Sequence, residues 1–182
     1  MKALKVVNLF GGPGVGKSVL STSLFAHMKR MDYNVEYVSE YAKDMVWERR
    51  DNILADQLYM LAKQNRRLRR LQENGVEWAV TDGAILNGIV YAKQPPQPLL
   101  DMISYCHGQF DNYDVLLERS KSIPYQPEGR IQKTLEEAQK KDKEIADMLD
   151  EQFVKPIRFR VGYDSPATLL WDIHLLGRKK EE

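Results

Sequence analysis

Eight residues, GGPGVGKS from Gly11 to Ser18, place four glycines directly after the apolar run LKVVNLF. Glycine lacks the side chain that would hold a ligand away from the backbone, and its freedom is costly in an ordered chain. The spacing is G-x-x-x-x-G-K-[ST], which chance produces in about one chain in a hundred of this length. A buried strand before it and a helix after it complete the context. The chemistry is the cradling of a phosphate chain by Gly12, Pro13, Gly14, Val15 and Gly16, whose backbone amides and helix start attract anions. Lys17 then reaches the β- and γ-phosphates, and Ser18 places its hydroxyl on Mg²⁺.

A phosphate cradle does not name a reaction. No N-K-x-D motif reads a guanine base, and AVTDG carries Asp82 followed by glycine, without the acidic pair usual in a motor ATPase. Transfer to an organic hydroxyl needs an acid near the acceptor and cations over the γ-phosphate. Glu40, in VSEYAKD, follows the second strand and opens onto the edge where ligands of parallel sheets bind. It can accept the proton of an attacking hydroxyl or orient it. Asp44 is a weaker candidate one turn on. Asp82 ends the third strand, where it can hold the Mg²⁺ shell or bind the acceptor. The stretch RSKSIPYQPEGR supplies Arg119, Lys121 and Arg130 as lid cations over about residues 119–131.

The elements that position these groups alternate. Strands are expected over Leu4–Phe10, Val35–Val38, Trp78–Thr81, Asp114–Leu117 and Arg158–Tyr163. Helices are expected over Lys17–Arg30, Asn52–Gln72 (with the stripe Leu54, Leu58, Leu61, Leu68) and Thr134–Phe153, with a last helix from Ser165-Pro166 to near Gly177. The prolines of KQPPQP, Lys93–Pro98, mark a loop. Alternation of this kind gives an α/β fold, a mostly parallel sheet covered on both faces, with no linker dividing residues 1–182. Asp142 interrupts the apolar stripe Leu135, Ala138, Ile145, Leu149 of its helix, so a cation, Arg119 or Arg130, is expected to meet it and anchor the lid.

Composition narrows the partners. Net charge is +1, with 43% hydrophobic and 29% charged residues, so no bulk field draws the chain to nucleic acid or membrane. The lone Cys106 excludes a disulfide framework and suits a reducing compartment, the cytoplasm. His27, His107 and His174 lack metal-ligand spacing. No apolar window is long enough for a membrane span, and the N-terminus does not read as a signal peptide.

GGPGVGKS, SEYAKDMVWE, VTDGAILNGIVY and LLERSKSIPYQPEGR together resemble a family of AAA-type P-loop kinases related to the ribosylnicotinamide kinase domains, many of whose small members are phage-encoded. The resemblance implies a single kinase domain with a five-stranded parallel sheet and a short lid, using ATP and Mg²⁺. It implies an acid after the second strand (Glu40), an aspartate at the third (Asp82), lid arginines (Arg119, Arg130), and an adenine contact at Asp164, Ser165 and Pro166. Related kinases act on nucleosides, nucleotides, polynucleotide ends or the hydroxymethyl group of 5-hydroxymethyluracil in phage DNA.

Lys63, Arg66, Arg67 and Arg70 recur at i, i+3, i+4, i+7, with Arg69 at the flank. They make a basic stripe roughly opposite the leucines, suited to a solvated face or to a DNA backbone contact. Tyr33, Tyr37, Tyr41 and Trp47 could stack on bases. The stripe and the phage-type resemblance favour a 5-hydroxymethylpyrimidine in DNA as acceptor, with a small nucleoside or nucleotide as the alternative, and an ATPase switch acting on a protein partner as a second. An enzyme of this kind from a phage would work in the host cytoplasm. Either Glu40 or Asp82 can serve as the general base.

Overall fold

The structure is a computed structural model that describes residues 3–127, 132 and 134–181, with side chains described through Gly177. Five strands, β1 (Lys5–Phe10), β2 (Val35–Val38), β3 (Trp78–Thr81), β4 (Asp111–Glu118) and β5 (Ile157–Arg160), form one sheet in the order β2-β3-β1-β4-β5. Every pairing is parallel. Among the described residues eight helices connect and flank them: α1 (Lys17–Arg30), α2 (Tyr41–Trp47), α3 (Asp51–Ala55), α4 (Gln57–Glu73), α5 (Asn87–Tyr91), α6 (Gln97–His107), α7 (Leu135–Glu151) and α8 (Pro166–Glu181).

The two-residue side-chain period of a strand builds two cores. From β1, Leu4, Val6 and Phe10 face one side and pack with Leu61 and Leu68 of α4, Ile103 of α6 and Ile145 and Leu149 of α7. Val7 and Leu9 face the other, against Leu20, Leu24 and Met28 of α1 and Leu169 and Ile173 of α8. Both faces are therefore covered, as a parallel sheet requires. The carboxyl ends of β1, β2 and β3, flanking strands in the sheet, deliver Gly11, Ser39 and Asp82 to one edge.

Several expected boundaries move. The single helix expected over Asn52–Gln72 is two, because Asp56 ends the first and caps the second, its carboxylate accepting from the Tyr59 N–H at 3.0 Å. A capped break resets the helical phase, and Leu58 leaves the stripe to lie 61% exposed. Within KQPPQP, Gln97 and Pro98 already belong to α6, since proline is tolerated in a first helical turn. The fifth strand starts one residue early and stops at Arg160, before a turn closed by Asp164. α8 runs on past Gly177. The short helices α2 and α5 carry too little periodicity to be read from sequence, whereas along α6 Leu99, Ile103 and Cys106 recur at helical spacing.

Candidate active site

At the end of β1 the chain turns through Gly14 and Gly16, both at positive φ, and α1 begins at Lys17. The loop is pressed against α7. A Cβ on Gly12 would lie 2.5 Å from Asp142 Oδ1 and 2.7 Å from the Ala138 carbonyl oxygen, so only glycine fits there. The Lys17 ammonium folds back on the loop, donating to the Gly11 carbonyl at 2.6 Å and the Gly12 carbonyl at 3.3 Å. Burial lowers its pKa, while the Glu40, Asp82 and Asp142 carboxylates pull the other way.

Asp82, buried at the end of β3, gathers the site. Its Oδ2 accepts from the Ser18 hydroxyl at 2.7 Å, and its Oδ1 from the Tyr37 hydroxyl at 3.1 Å and the Glu40 N–H at 3.0 Å. Burial, and then the Asp82 charge, push the Tyr37 hydroxyl up to about 12, so it remains a donor. Ser18 and Asp82 present adjacent hard oxygens, the donor chemistry of Mg²⁺, which uses one or two protein ligands and completes its shell from phosphate and water. Among the described residues no group of three or more His, Cys, Asp or Glu could hold a metal, which agrees with so sparse a protein contribution.

Glu40 occupies the N-cap position of α2 and lines the cavity between α4 and the glycine loop. Its carboxylate caps nothing. Burial raises its pKa, and Asp82 adds to that while Lys17 opposes it. A carboxyl held above its ordinary range is better matched to proton transfer near neutral pH.

Arg119, just past β4, meets the expected carboxylate. Its Nε donates to Asp142 Oδ2 at 2.8 Å and its Nη2 to Asp142 Oδ1 at 3.1 Å and the Pro13 carbonyl at 2.9 Å. Asp142 Oδ1 also accepts from the Gly12 N–H at 2.6 Å. One carboxylate on α7 thus binds the root of the lid stretch to the glycine loop. Arg130, the other expected lid cation, lies outside the described residues.

Of these groups Lys17, Ser18, Glu40 and Arg119 line one cavity of about 1250 Å³, and Asp82 and Asp142 bond to its lining from outside it. On one side Phe159, Val161, Gly162, Asp164 and Pro166 line it beyond the glycine loop. On the other, α2–α5 line it with Trp47, Leu54, Met60, Ile85 and Tyr91. Of the three residues expected at the adenine, Asp164 and Pro166 stand in the wall. Asp164 spends its carboxylate on the Arg160 N–H and guanidinium, which lower its pKa, while Ser165 caps α8 by accepting from the Thr168 N–H.

The basic stripe is divided: Lys63, Arg66 and Arg70 are exposed, and only Arg67 is half-buried. Arg67 turns back to Ser39 and Asp44 and lies 5.2 Å from the Tyr41 ring centroid, Arg66 pairs with Glu73 at 2.7 Å, and Lys63 sits over the Tyr59 ring. Among the lining residues that sequence reasoning did not single out are Gln64 and Lys141. Gln64 interrupts the Leu61–Leu68 stripe as Asp142 interrupts its own, and that pattern was the available signal. Lys141, over the Tyr91 ring, gave none.

The fold and the cradle define a P-loop NTPase, and residues 6–163 match the model of a family described as an AAA domain, to which the chain belongs. No curated protein sequence matches it. Among solved structures it is similar to the NadR protein, crystallised in complex with NR, with a TM-score of 0.63 and 18% identity over 94% of this chain and 51% of that one. The chain thus spans about half the length of that protein, and the likeness is one of fold. Among the described residues no helix is long and apolar enough to cross a membrane.

Proposed function

We propose that the protein is an ATP- and Mg²⁺-dependent kinase that transfers the γ-phosphate to a hydroxyl of a nucleoside-type acceptor. The observation that carries this is that Lys17, Ser18, Glu40 and Arg119 line one cavity, with Asp82 bonded to the Ser18 hydroxyl. Ser18 and Asp82 would hold Mg²⁺, which when bound offsets charge on the phosphates. Lys17 neutralises the β/γ oxygens, and Arg119 faces the charge that spreads in the transition state. The acceptor oxygen forms its bond to the γ-phosphorus as the bond to the β–γ bridging oxygen breaks, and Glu40 takes the hydroxyl proton. The wall at Asp164–Pro166 receives the adenine.

The likeness to NadR supports a small nucleoside as acceptor, and so does the engagement of Arg66 and Arg67 by partners within the chain. A hydroxymethylated base in DNA is the competing acceptor, supported by the stripe's Lys63 and Arg70. The test is transfer from γ-labelled ATP to ribosylnicotinamide, other nucleosides and nucleotides, single strands, and duplexes containing 5-hydroxymethyluracil. We expect a labelled nucleoside, and loss of about 100- to 1000-fold in both Lys17→Ala and Ser18→Ala. Labelled DNA alone would move the assignment to the base. Phosphate release with no labelled acceptor would favour an ATPase switch, and near wild-type transfer in both variants would end the kinase reading.

A further inference from the structure

The turn that carries Glu40 is gripped from outside. Ser39, before it, offers its carbonyl to Arg67 Nη1 at 2.8 Å, and its hydroxyl accepts from the same nitrogen at 2.9 Å. Tyr41, after it, donates its N–H to Gln64 Oε1 at 3.3 Å. That amide opens α2 and has no partner within the helix, so Gln64 satisfies a group that would otherwise stand orphaned. Gln64 Nε2 turns to Thr81 Oγ1 at 3.3 Å and approaches the Ser39 carbonyl at 3.5 Å, while Thr81 Oγ1 accepts from the Gly83 N–H at 3.0 Å. The Glu40 N–H itself is held by Asp82. Gly83 closes the arrangement: a Cβ there would lie 2.8 Å from Glu40 Cα and 3.0 Å from Gln64 Nε2.

Gln64 is nine-tenths buried on an otherwise apolar stripe, where a polar side chain costs stability unless its bonds are made. Arg67 is one helical turn on, bearing also on Asp44 at 3.2 Å. By contrast the Glu40 carboxylate makes no hydrogen bond among the described residues. Its aim therefore depends on where its backbone is held. Around it stand the charges of Lys17, Asp82, Lys43 and Asp44.

We propose that Gln64 and Arg67 are positioning residues that clamp the Ser39–Tyr41 turn and so fix the direction in which Glu40 meets the acceptor hydroxyl. This rests on the kinase reading for its chemistry but not for its geometry. It also gives part of the basic stripe an internal task.

The test has two readings. Amide exchange at Tyr41, followed without any substrate, is slow in the wild type and fast in Gln64→Leu. Rapid exchange in the wild type would overturn the clamp whatever the reaction. Rates of transfer from ATP to ribosylnicotinamide and to a 5-hydroxymethyluracil duplex then form a cycle. Gln64→Leu lowers kcat about 100-fold, the scale for a misplaced reacting group, with the KM for ATP within about twofold of wild type. Arg67→Ala, nearer the surface and safe for folding, lowers kcat in the same direction, and Arg67→Lys recovers part of it. Placed on Glu40→Gln, Gln64→Leu costs nothing further, because its effect runs through the absent carboxylate. Additive losses would overturn the proposal. If the wild type hydrolyses ATP but labels neither acceptor, the kinase reading fails, and the same cycle on hydrolysis rates decides the clamp.

Discussion

Glu40 is a residue whose value to a reaction and cost to the fold share one cause. Burial holds its carboxyl above the ordinary range, so the folded chain binds that proton more tightly than the unfolded chain. The ionised form is therefore destabilising at pH values above the raised value, and the effect fades as pH falls past the ordinary one. Glu40→Gln should have a higher Tm than the wild type at pH 8, with the gap shrinking toward pH 4, in paired thermal melts. The same variant should lose about two to four orders of magnitude in turnover, with ATP affinity kept. In the wild type the acid limb of kcat/KM should lie above the range of an ordinary glutamate, since the base must be deprotonated to act. Lys17 carries the opposite sign: its lowered pKa means that the cation is lost, and turnover falls, as pH rises toward alkaline values.

At the scale of elements, α7 is what joins the glycine loop to the stretch that follows β4, through Asp142. Asp142→Ala leaves the Arg119 guanidinium and the Gly12 N–H without their shared acceptor. We expect a loss of about 1–3 kcal/mol in urea denaturation, given that both side chains are partly screened. Its turnover loss should be smaller than the 100- to 1000-fold expected of Arg119→Ala, which removes the cation itself. Gly12→Ala drives a methyl group into α7 and should cost about 1–3 kcal/mol by overpacking. That Asp142 would have a basic partner was legible, because a charge on an apolar stripe needs one. So were both ends of β1, β2 and β3 to within a residue, the glycine loop and the start of α1, where pattern and loop chemistry agree, while β4 begins at Asp111, ahead of its expected start at Asp114. The helices α2 and α5 were not, since five to seven residues show no period. Nor were the bonds of Gln64, because a capping bond between residues 41 and 64 has no local trace. The wall at Asp164 was half legible: its place in the cavity follows from the loop after β5, but its commitment to Arg160 depends on a turn that the strand pattern overran.

For the molecule as a whole, the basic stripe bears on what approaches it. If a small nucleoside is the acceptor, Arg66→Ala and Arg70→Ala should leave its KM unchanged within about twofold. If DNA is, each should reduce the salt dependence of binding by about one unit, similarly across sequences. Arg67→Ala is excluded from that comparison, because it also loosens the turn at Ser39.

The wall of Phe159, Val161, Asp164 and Pro166 and the α2–α5 wall belong to a single continuous hollow at one edge of the sheet, with Lys17 and Glu40 in its lining. Cys106, on α6, is buried in the core and is not among the residues that line the hollow. If, as the kinase reading has it, both substrates occupy the hollow together and the phosphoryl group passes directly between them, initial rates should give intersecting rather than parallel reciprocal plots. A chiral, isotopically labelled γ-phosphate should emerge inverted, the signature of one displacement instead of two. Parallel plots with retained configuration would require a phosphorylated side chain as intermediate.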